Sequence, residues 1–209
     1  MSQACICRGL YAITDAVLIP DERLTITVEQ ALLGGARLLQ YRDKSADTER
    51  RRAQAQALNV LCQRYGAPLI INDDVELAAE VGAAGAHIGQ DDPSFATART
   101  RLGKNAIIGV SCYDQLEFAL RAERAGANYV AFGAFFPSPT KSTEIRASLA
   151  LLQEARAALN IPIVAIGGIT PENAPPLLEA GADALAVISG VFAQPDIQCA
   201  AARYAALFA

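Results

Sequence analysis

The stretch Ala-Gly-Ala-Asn-Tyr-Val-Ala-Phe-Gly at 125–133 joins the end of one element to a solidly apolar run, and its reading decides the fold. A glycine just past a helix can take the left-handed conformation that closes it. The small residue after it lets the chain turn back close to a sheet. The apolar run that follows does not alternate, which is the mark of a parallel strand covered on both faces. The same triplet stands at Ala84–Ala86 and Ala180–Ala182, and Gly34-Gly35-Ala36 plays a similar part earlier. Four such helix-to-strand joints are hard to obtain from an all-β or all-helical chain.

Working outward, apolar runs recur at Gly9–Thr14, Arg37–Tyr41, Pro68–Asn72, Ala86–Gly89, Ala106–Val110, Tyr129–Gly133, Ile163–Ile166 and Ala184–Ile188. Segments of helical periodicity lie between them. In Thr48–Tyr65, Ala53, Ala57, Val60 and Leu61 share one face, and Asp47 is placed to cap the start. A last helix is expected at about Pro195–Phe208. Eight strands, each followed by a helix, predict an α/β fold: a single-domain (β/α)8 TIM barrel over residues 1–209. The competing doubly wound sheet lacks its Gly-x-Gly-x-x-Gly fingerprint after the first strand.

Composition narrows the function. A chain of 209 residues that is 52% hydrophobic can bury a sizeable core. The net charge of -4 argues against broad nucleic-acid binding, which needs a basic face. No apolar run reaches the roughly 20 residues of a membrane helix, and Met1–Arg8 carries no secretory pattern. A cytoplasmic location is expected, with no membrane partner. Cys5, Cys7, Cys62, Cys112 and Cys199 show no zinc spacing and read as idle thiols. A homo-oligomer is compatible with the sequence, which does not fix the oligomeric state.

In such barrels the chemistry lies at the C-terminal ends of the strands, and unusual polar residues gather there. After the second strand, Gln40, Arg42 and Lys44 are spaced two apart, so an extended chain points them the same way as an anion clamp. The third strand ends in Asn72-Asp73-Asp74 and the fourth in Gly89-Gln90-Asp91-Asp92. One Asp per loop suffices to cap a helix; the repeated pair points to Mg2+, which takes oxygen ligands together with phosphate oxygens and water. Ser111 ends the fifth strand with a hydroxyl that can donate to a phosphate or cap the next helix. Phe135 to Ser142 reads as a proline-stiffened lid carrying Ser138, Thr140 and Lys141. Gly167-Gly168 and Ser189-Gly190 let backbone N–H groups approach a phosphate. The single histidine, His87, lies inside a predicted strand without an acidic partner in sequence. A Cys-His or Ser-His mechanism is therefore not expected.

With these residues in place the chain resembles the thiamine-phosphate synthase family. The motifs, in order, are Leu-Tyr-Ala-Ile-Thr-Asp (10–15), Gln-Tyr-Arg-Asp-Lys (40–44), Ile-Asn-Asp-Asp (71–74), His-Ile-Gly-Gln-Asp-Asp (87–92), Gly-Val-Ser (109–111), Pro-Ser-Pro-Thr-Lys (137–141), Ala-Ile-Gly-Gly-Ile (165–169) and Val-Ile-Ser (187–189). The resemblance implies a transferase that joins an aminopyrimidine carrying a methyl diphosphate to a thiazole phosphate, with Mg2+ as cofactor. It implies that Gln40, Arg42, Lys44, Asn72, Ser111 and Lys141 contact the pyrimidine diphosphate and that Asp73 and Asp92 hold Mg2+. Ser138, Thr140, Gly168, Ile188 and Ser189 would contact the thiazole phosphate. Arg42, Lys44, Ser111 and Lys141 would carry the catalytic charge stabilisation. The family often has Thr where Ser138 stands and His where Tyr113 stands, and Tyr113 receives no role. Three alternatives stay open: a thiazole tautomerase-like barrel, a Schiff-base aldolase using Lys44 or Lys141, and a non-catalytic phosphate-binding regulator. The full Gln40-x-Arg42-x-Lys44 set with both acidic loops favours the synthase.

Overall fold

The computed structural model describes residues 8–89, 94–137 and 147–209. Among the described residues, eight strands form a closed parallel barrel in sequence order: β1 (Gly9–Ile13), β2 (Ala36–Tyr41), β3 (Leu69–Asn72), β4 (Gly85–Ile88), β5 (Ile107–Tyr113), β6 (Tyr129–Gly133), β7 (Ile163–Ile166) and β8 (Ala184–Val187). β1 pairs with β8 and completes the ring. The helices alternate with them: α1 (Leu24–Leu33), α2 (Thr48–Tyr65), α3 (Val75–Glu80), α4 (Phe95–Leu102), α5 (Leu116–Ala125), α6 (Leu149–Ala158) and α7 (Pro175–Glu179). After β8 come a short α8 (Ser189–Phe192) and α9 (Ile197–Ala205). The barrel is the fold the sequence predicts. β5 runs past Val110 to Tyr113, so Ser111 and the buried Cys112 belong to the sheet, and the register shifts between Ser111 and Tyr113.

The two-residue period of a strand sorts side chains onto two sides of the wall. Leu10, Ala12, Leu39, Tyr41, Leu69, Ile71, Ala86 and Ile88 face the helices and join the larger core. Tyr11, Ile13, Leu38, Ile70, Tyr129, Ala131, Val164, Ala184 and Ala186 fill the barrel interior. Two tyrosine rings fit inside because their neighbours are small. A Cβ on Gly109 would lie 1.9 Å from the Tyr129 ring, so only glycine leaves room for it. Burying side chains of this size stabilises a fold by about 1.5–3 kcal/mol each.

Two local expectations need correction. On α2 the buried residues are Ala55, Leu58, Asn59, Leu61 and Cys62, whereas Val60 is exposed. The stripe is rotated from the expected one. Leu61 is buried as expected, while Leu58 and Cys62 take the place of Ala53, Ala57 and Val60 and bury more apolar surface. Asn59 tolerates burial because its amide donates to Val81 O at 2.8 Å and Gly82 O at 3.1 Å. Asp47 caps the helix as expected, accepting from Arg50 N–H at 3.0 Å. The Ala-Gly-Ala joints also differ among themselves. Gly126 closes α5 in the left-handed region, with φ 95°. Gly85 instead lies within β4, and a Cβ there would sit 1.7 Å from Ile107 O. Its role is close approach between strands, and Gly82 makes the turn after α3.

Candidate active site

The alternation that sorts β2 continues past its end. Gln40 and Arg42 face the barrel mouth, where Asn72 from β3, Ser111 from β5 and Ile188 after β8 line the same cavity of about 110 Å3. The odd-numbered neighbours point the other way. Tyr41 Oη donates to Gln54 Oε1 at 2.7 Å, and Asp43 accepts from Arg50 Nη2 at 2.7 Å and Ser45 N–H at 2.8 Å. Burial alone would raise the Asp43 carboxyl. The Ser45 hydrogen bonds and the Arg50 guanidinium outweigh it and hold the group below the usual carboxylate range. The loop that carries Arg42 and Lys44 is thus tied to α2 from behind.

Arg42 is held from the front by β1. Its Nη1 lies 3.1 Å from Asp15 Oδ2, and its backbone N–H donates to Thr14 Oγ1 at 2.9 Å. Asp15 is 7% exposed and also accepts from Val17 N–H at 3.0 Å, so the guanidinium has a fixed anchor. Neither Thr14 nor Asp15 was expected in this role. The only signal was their place in the Leu-Tyr-Ala-Ile-Thr-Asp motif directly after β1.

The acidic pair after β3 divides its labour. Asp74 caps α3, accepting from Leu77 N–H at 2.8 Å, and pairs with Arg51 Nη2 at 2.8 Å. Asp73 has no capping duty. It sits in the left-handed region at φ 63°, which Asp tolerates better than most residues. Its N–H donates to His87 O at 2.9 Å, and Oδ2 lies 3.3 Å from Lys44 Nζ. Lys44 and Asp73 therefore meet at the rim and do not line the Gln40–Ser111 cavity. Among the described residues no group of three metal-binding side chains exists. Of the two carboxylates that the resemblance assigns to Mg2+, Asp73 is the described one, and its neighbour at the rim is a cation, Lys44, which a bound Mg2+ would displace. Asp92, Ser138, Thr140 and Lys141 lie outside the described residues.

Beneath the mouth a chain of hydrogen bonds crosses the barrel. Gln40 Nε2 donates to Tyr11 Oη at 2.7 Å, and Tyr11 Oη lies 2.8 Å from Tyr129 Oη. Tyr129 Oη lies 3.0 Å from His87 Nδ1, and His87 Nε2 lies 2.8 Å from Ser111 Oγ. The His87 ring also stacks on Tyr129, with centroids 5.6 Å apart. Burial pushes the imidazole down to about 4, with a weaker opposing effect from Asp73. His87 is buried, in keeping with its place inside a predicted strand, and its hydroxyl partners were not legible in sequence. Cys112 faces the outer core, and burial pushes its thiol up to about 12, which removes it as a nucleophile.

A second cavity, of about 370 Å3, opens beside the first and shares Ile166, Ala186 and Ile188 with it. Gly168, Thr170, Ser189, Gly190 and Pro137 also line it. Gly168 is in the left-handed region at φ 61°, and a Cβ there would lie 2.2 Å from Pro137 O. Phe136 N–H donates to Gly167 O at 3.0 Å, which holds the two loops together. A Cβ on Gly190 would meet Tyr204 Oη at 2.2 Å, and that hydroxyl donates to Ile169 O at 2.8 Å. The glycines thus admit backbone and a buttressing tyrosine at contact distance, and Gly167, Gly168 and Gly190 all line the cavity. The structure brings Gln40, Arg42, Asn72 and Ser111 together in one cavity and Gly168 and Ser189 in the other, with Ile188 on the shared wall.

Comparison with known proteins places the chain among relatives of one family. A family model described as thiamine monophosphate synthase matches residues 10–191. A thiamine-phosphate synthase of Nitrosococcus oceani is 60% identical over 94% of this chain and 91% of its own length. One from Thioalkalivibrio sulfidiphilus is 56% identical over 96% of this chain and 95% of its own. The solved thiamine phosphate pyrophosphorylase of Pyrococcus furiosus is 35% identical, covers 99% of this chain and 96% of its own, and superposes with a TM-score of 0.87.

Proposed function

The chain belongs to the thiamine monophosphate synthase family and is a transferase, and on that premise we propose that it joins an aminopyrimidine carrying a methyl diphosphate to a thiazole phosphate, giving thiamine phosphate and diphosphate. One observation carries this reading. Two cavities share a wall at Ile166, Ala186 and Ile188, one with a guanidinium at its mouth and the other lined in part by Gly167, Gly168 and Gly190. Two anionic substrates placed there would meet across that wall.

In the reaction the bond between the exocyclic methylene and the diphosphate oxygen breaks, and the electron pair leaves with diphosphate. The pyrimidine amino group stabilises the positive charge left on the methylene. The lone pair of the thiazole nitrogen then forms the new carbon–nitrogen bond. No protein base or covalent nucleophile takes part, which agrees with a single, buried histidine and with a mouth whose described lining holds no cysteine. Arg42, Lys44 and Lys141 stabilise the departing negative charge, while Gln40, Asn72 and Ser111 orient the pyrimidine diphosphate. Gly168, Ile188 and Ser189, with Ser138 and Thr140, receive the thiazole phosphate. Asp73 and Asp92 would hold Mg2+, which when bound offsets charge on the diphosphate. Positioning two rings in contact removes much of the entropic barrier.

The test is to mix both purified substrates with the protein and Mg2+ and to measure thiamine phosphate and diphosphate together. Equal amounts of both are expected, and formation of neither sinks the reading. Diphosphate released without thiamine phosphate would make the protein a hydrolase instead.

A further inference from the structure

Asn173 stands just before α7, half-buried behind the glycine loop that follows β7. It does not line the second cavity, whereas Gly168, Ile169 and Thr170 all do. Both ends of its side-chain amide nevertheless reach that loop. Nδ2 donates to Gly168 O at 3.0 Å, and Oδ1 accepts from Thr170 N–H at 2.8 Å. The backbone N–H of Asn173 turns back to Thr170 Oγ1 at 3.3 Å. We propose that Asn173 is a positioning residue: it fixes the Gly168–Ile169 peptide with its carbonyl outward and its N–H toward the cavity, where that N–H donates to a phosphate oxygen.

The direction of these bonds is fixed by their backbone partners. A carbonyl oxygen can only accept and a backbone N–H can only donate, so one orientation of the Asn173 amide satisfies both. The peptide between Gly168 and Ile169 is trans, and the C=O and N–H of a trans peptide point in opposite directions. With Gly168 O drawn back to Asn173, the Ile169 N–H faces the other way. The next peptide is committed on both sides. Its N–H, on Thr170, goes to Asn173, and its carbonyl, on Ile169, accepts from Tyr204 Oη at 2.8 Å. Gly168 sits in the left-handed region at φ 61° and has no side chain to restrict the rotation of its peptide. The hold on that peptide therefore has to come from outside the loop, and Asn173 supplies it.

The orientation matters because the described lining of this cavity holds no lysine or arginine. An anion there depends on N–H and O–H donors that are already aimed. Were the Gly168–Ile169 peptide to turn over, the cavity would lose a donor and gain a carbonyl oxygen facing the phosphate. This inference rests on the proposed reaction for the identity of its ligand, the thiazole phosphate, but not for the orientation of the peptide.

The test follows the Ile169 amide proton by NMR while nitrogen-15-labelled protein is titrated with thiazole phosphate and, separately, with inorganic phosphate. In wild-type protein the signal is expected to move downfield as the N–H donates to phosphate. No movement with either probe overturns the proposal. Movement with inorganic phosphate, in a protein that binds no thiazole phosphate, would sink the proposed reaction and leave the peptide orientation standing. The variant is Asn173→Asp, which keeps the acceptor for Thr170 N–H and sets a carboxylate oxygen where the donor to Gly168 O stood. Its affinity for thiazole phosphate is expected to fall about tenfold, with affinity for the pyrimidine diphosphate unchanged and the Ile169 shift lost. An equal loss for both substrates, or no loss for thiazole phosphate, overturns the proposal. So does a full Ile169 shift at saturating ligand, which would reduce Asn173 to a prop for stability. Should Asn173→Asp not fold, Asn173→Ser removes both bonds without adding charge and is held to the same outcomes.

Discussion

The Gln40–Ser111 cavity is lined by polar side chains, three of which are held by another side chain. Arg42 leans on Asp15, Gln40 on Tyr11, and Ser111 on His87. The Gly168–Ser189 cavity is lined in part by Gly167, Gly168 and Gly190, and what matters is the absence of side chains at Gly168 and Gly190. The two halves should fail in opposite ways. Removing atoms breaks the first, and adding atoms breaks the second.

The largest effect is expected from Arg42→Ala, which deletes the cation at the mouth of the first cavity. kcat/KM, followed by diphosphate release, should fall by about 10²–10³-fold. A loss smaller than tenfold would mean that the guanidinium does not face developing charge. Next comes Gly168→Ala. The left-handed backbone and the contact with Pro137 O should cost about 2–3 kcal/mol in urea denaturation. The loss of ligand affinity should fall on the thiazole phosphate alone. Wild-type stability for this variant would refute the account of the loop. Asp15→Asn keeps an acceptor for the Val17 N–H but loses the charge facing Arg42. About a tenfold loss of pyrimidine diphosphate affinity is expected by titration calorimetry. The smallest change is expected from Ser189→Ala, roughly threefold to fivefold in thiazole phosphate affinity, because neighbouring backbone remains. If Ser189→Ala is as damaging as Arg42→Ala, the contrast between the halves is wrong.

What could be read from the sequence follows from the range of the interactions. Strand positions were legible because both faces of each strand are buried, which leaves short apolar runs such as Ile163–Ile166. Rim residues such as Gln40, Arg42 and Ser111 were legible because a polar residue ending such a run has few structural reasons to be there. The face of α2 was not legible. Ala53, Ala57 and Val60 form as regular a stripe as Ala55, Leu58 and Cys62, and only the packed sheet chooses between them. Asp15, Tyr11, Tyr129 and His87 were missed as site residues for a related reason. Tyr11 and Tyr129 are 118 positions apart, and each alone reads as an ordinary aromatic in a strand. Their pairing depends on barrel closure and on the space left by Gly109. Asp73 and Asp74 are adjacent and chemically alike, yet the cap falls to Asp74 because Asp73 takes the left-handed turn first.

The hydroxyl of Tyr204 supports the carbonyl of Ile169, which precedes it by 35 positions, from a helix that packs on α1 and β1. A ribosome therefore delivers β7 and its glycine loop well before the prop that holds that loop in place. The cavity beside that loop is therefore expected to close only once α9 has packed. Removing the prop with Tyr204→Phe is expected to weaken protection of the Gly167–Ile169 amides in hydrogen exchange while leaving the bulk of the sheet protected.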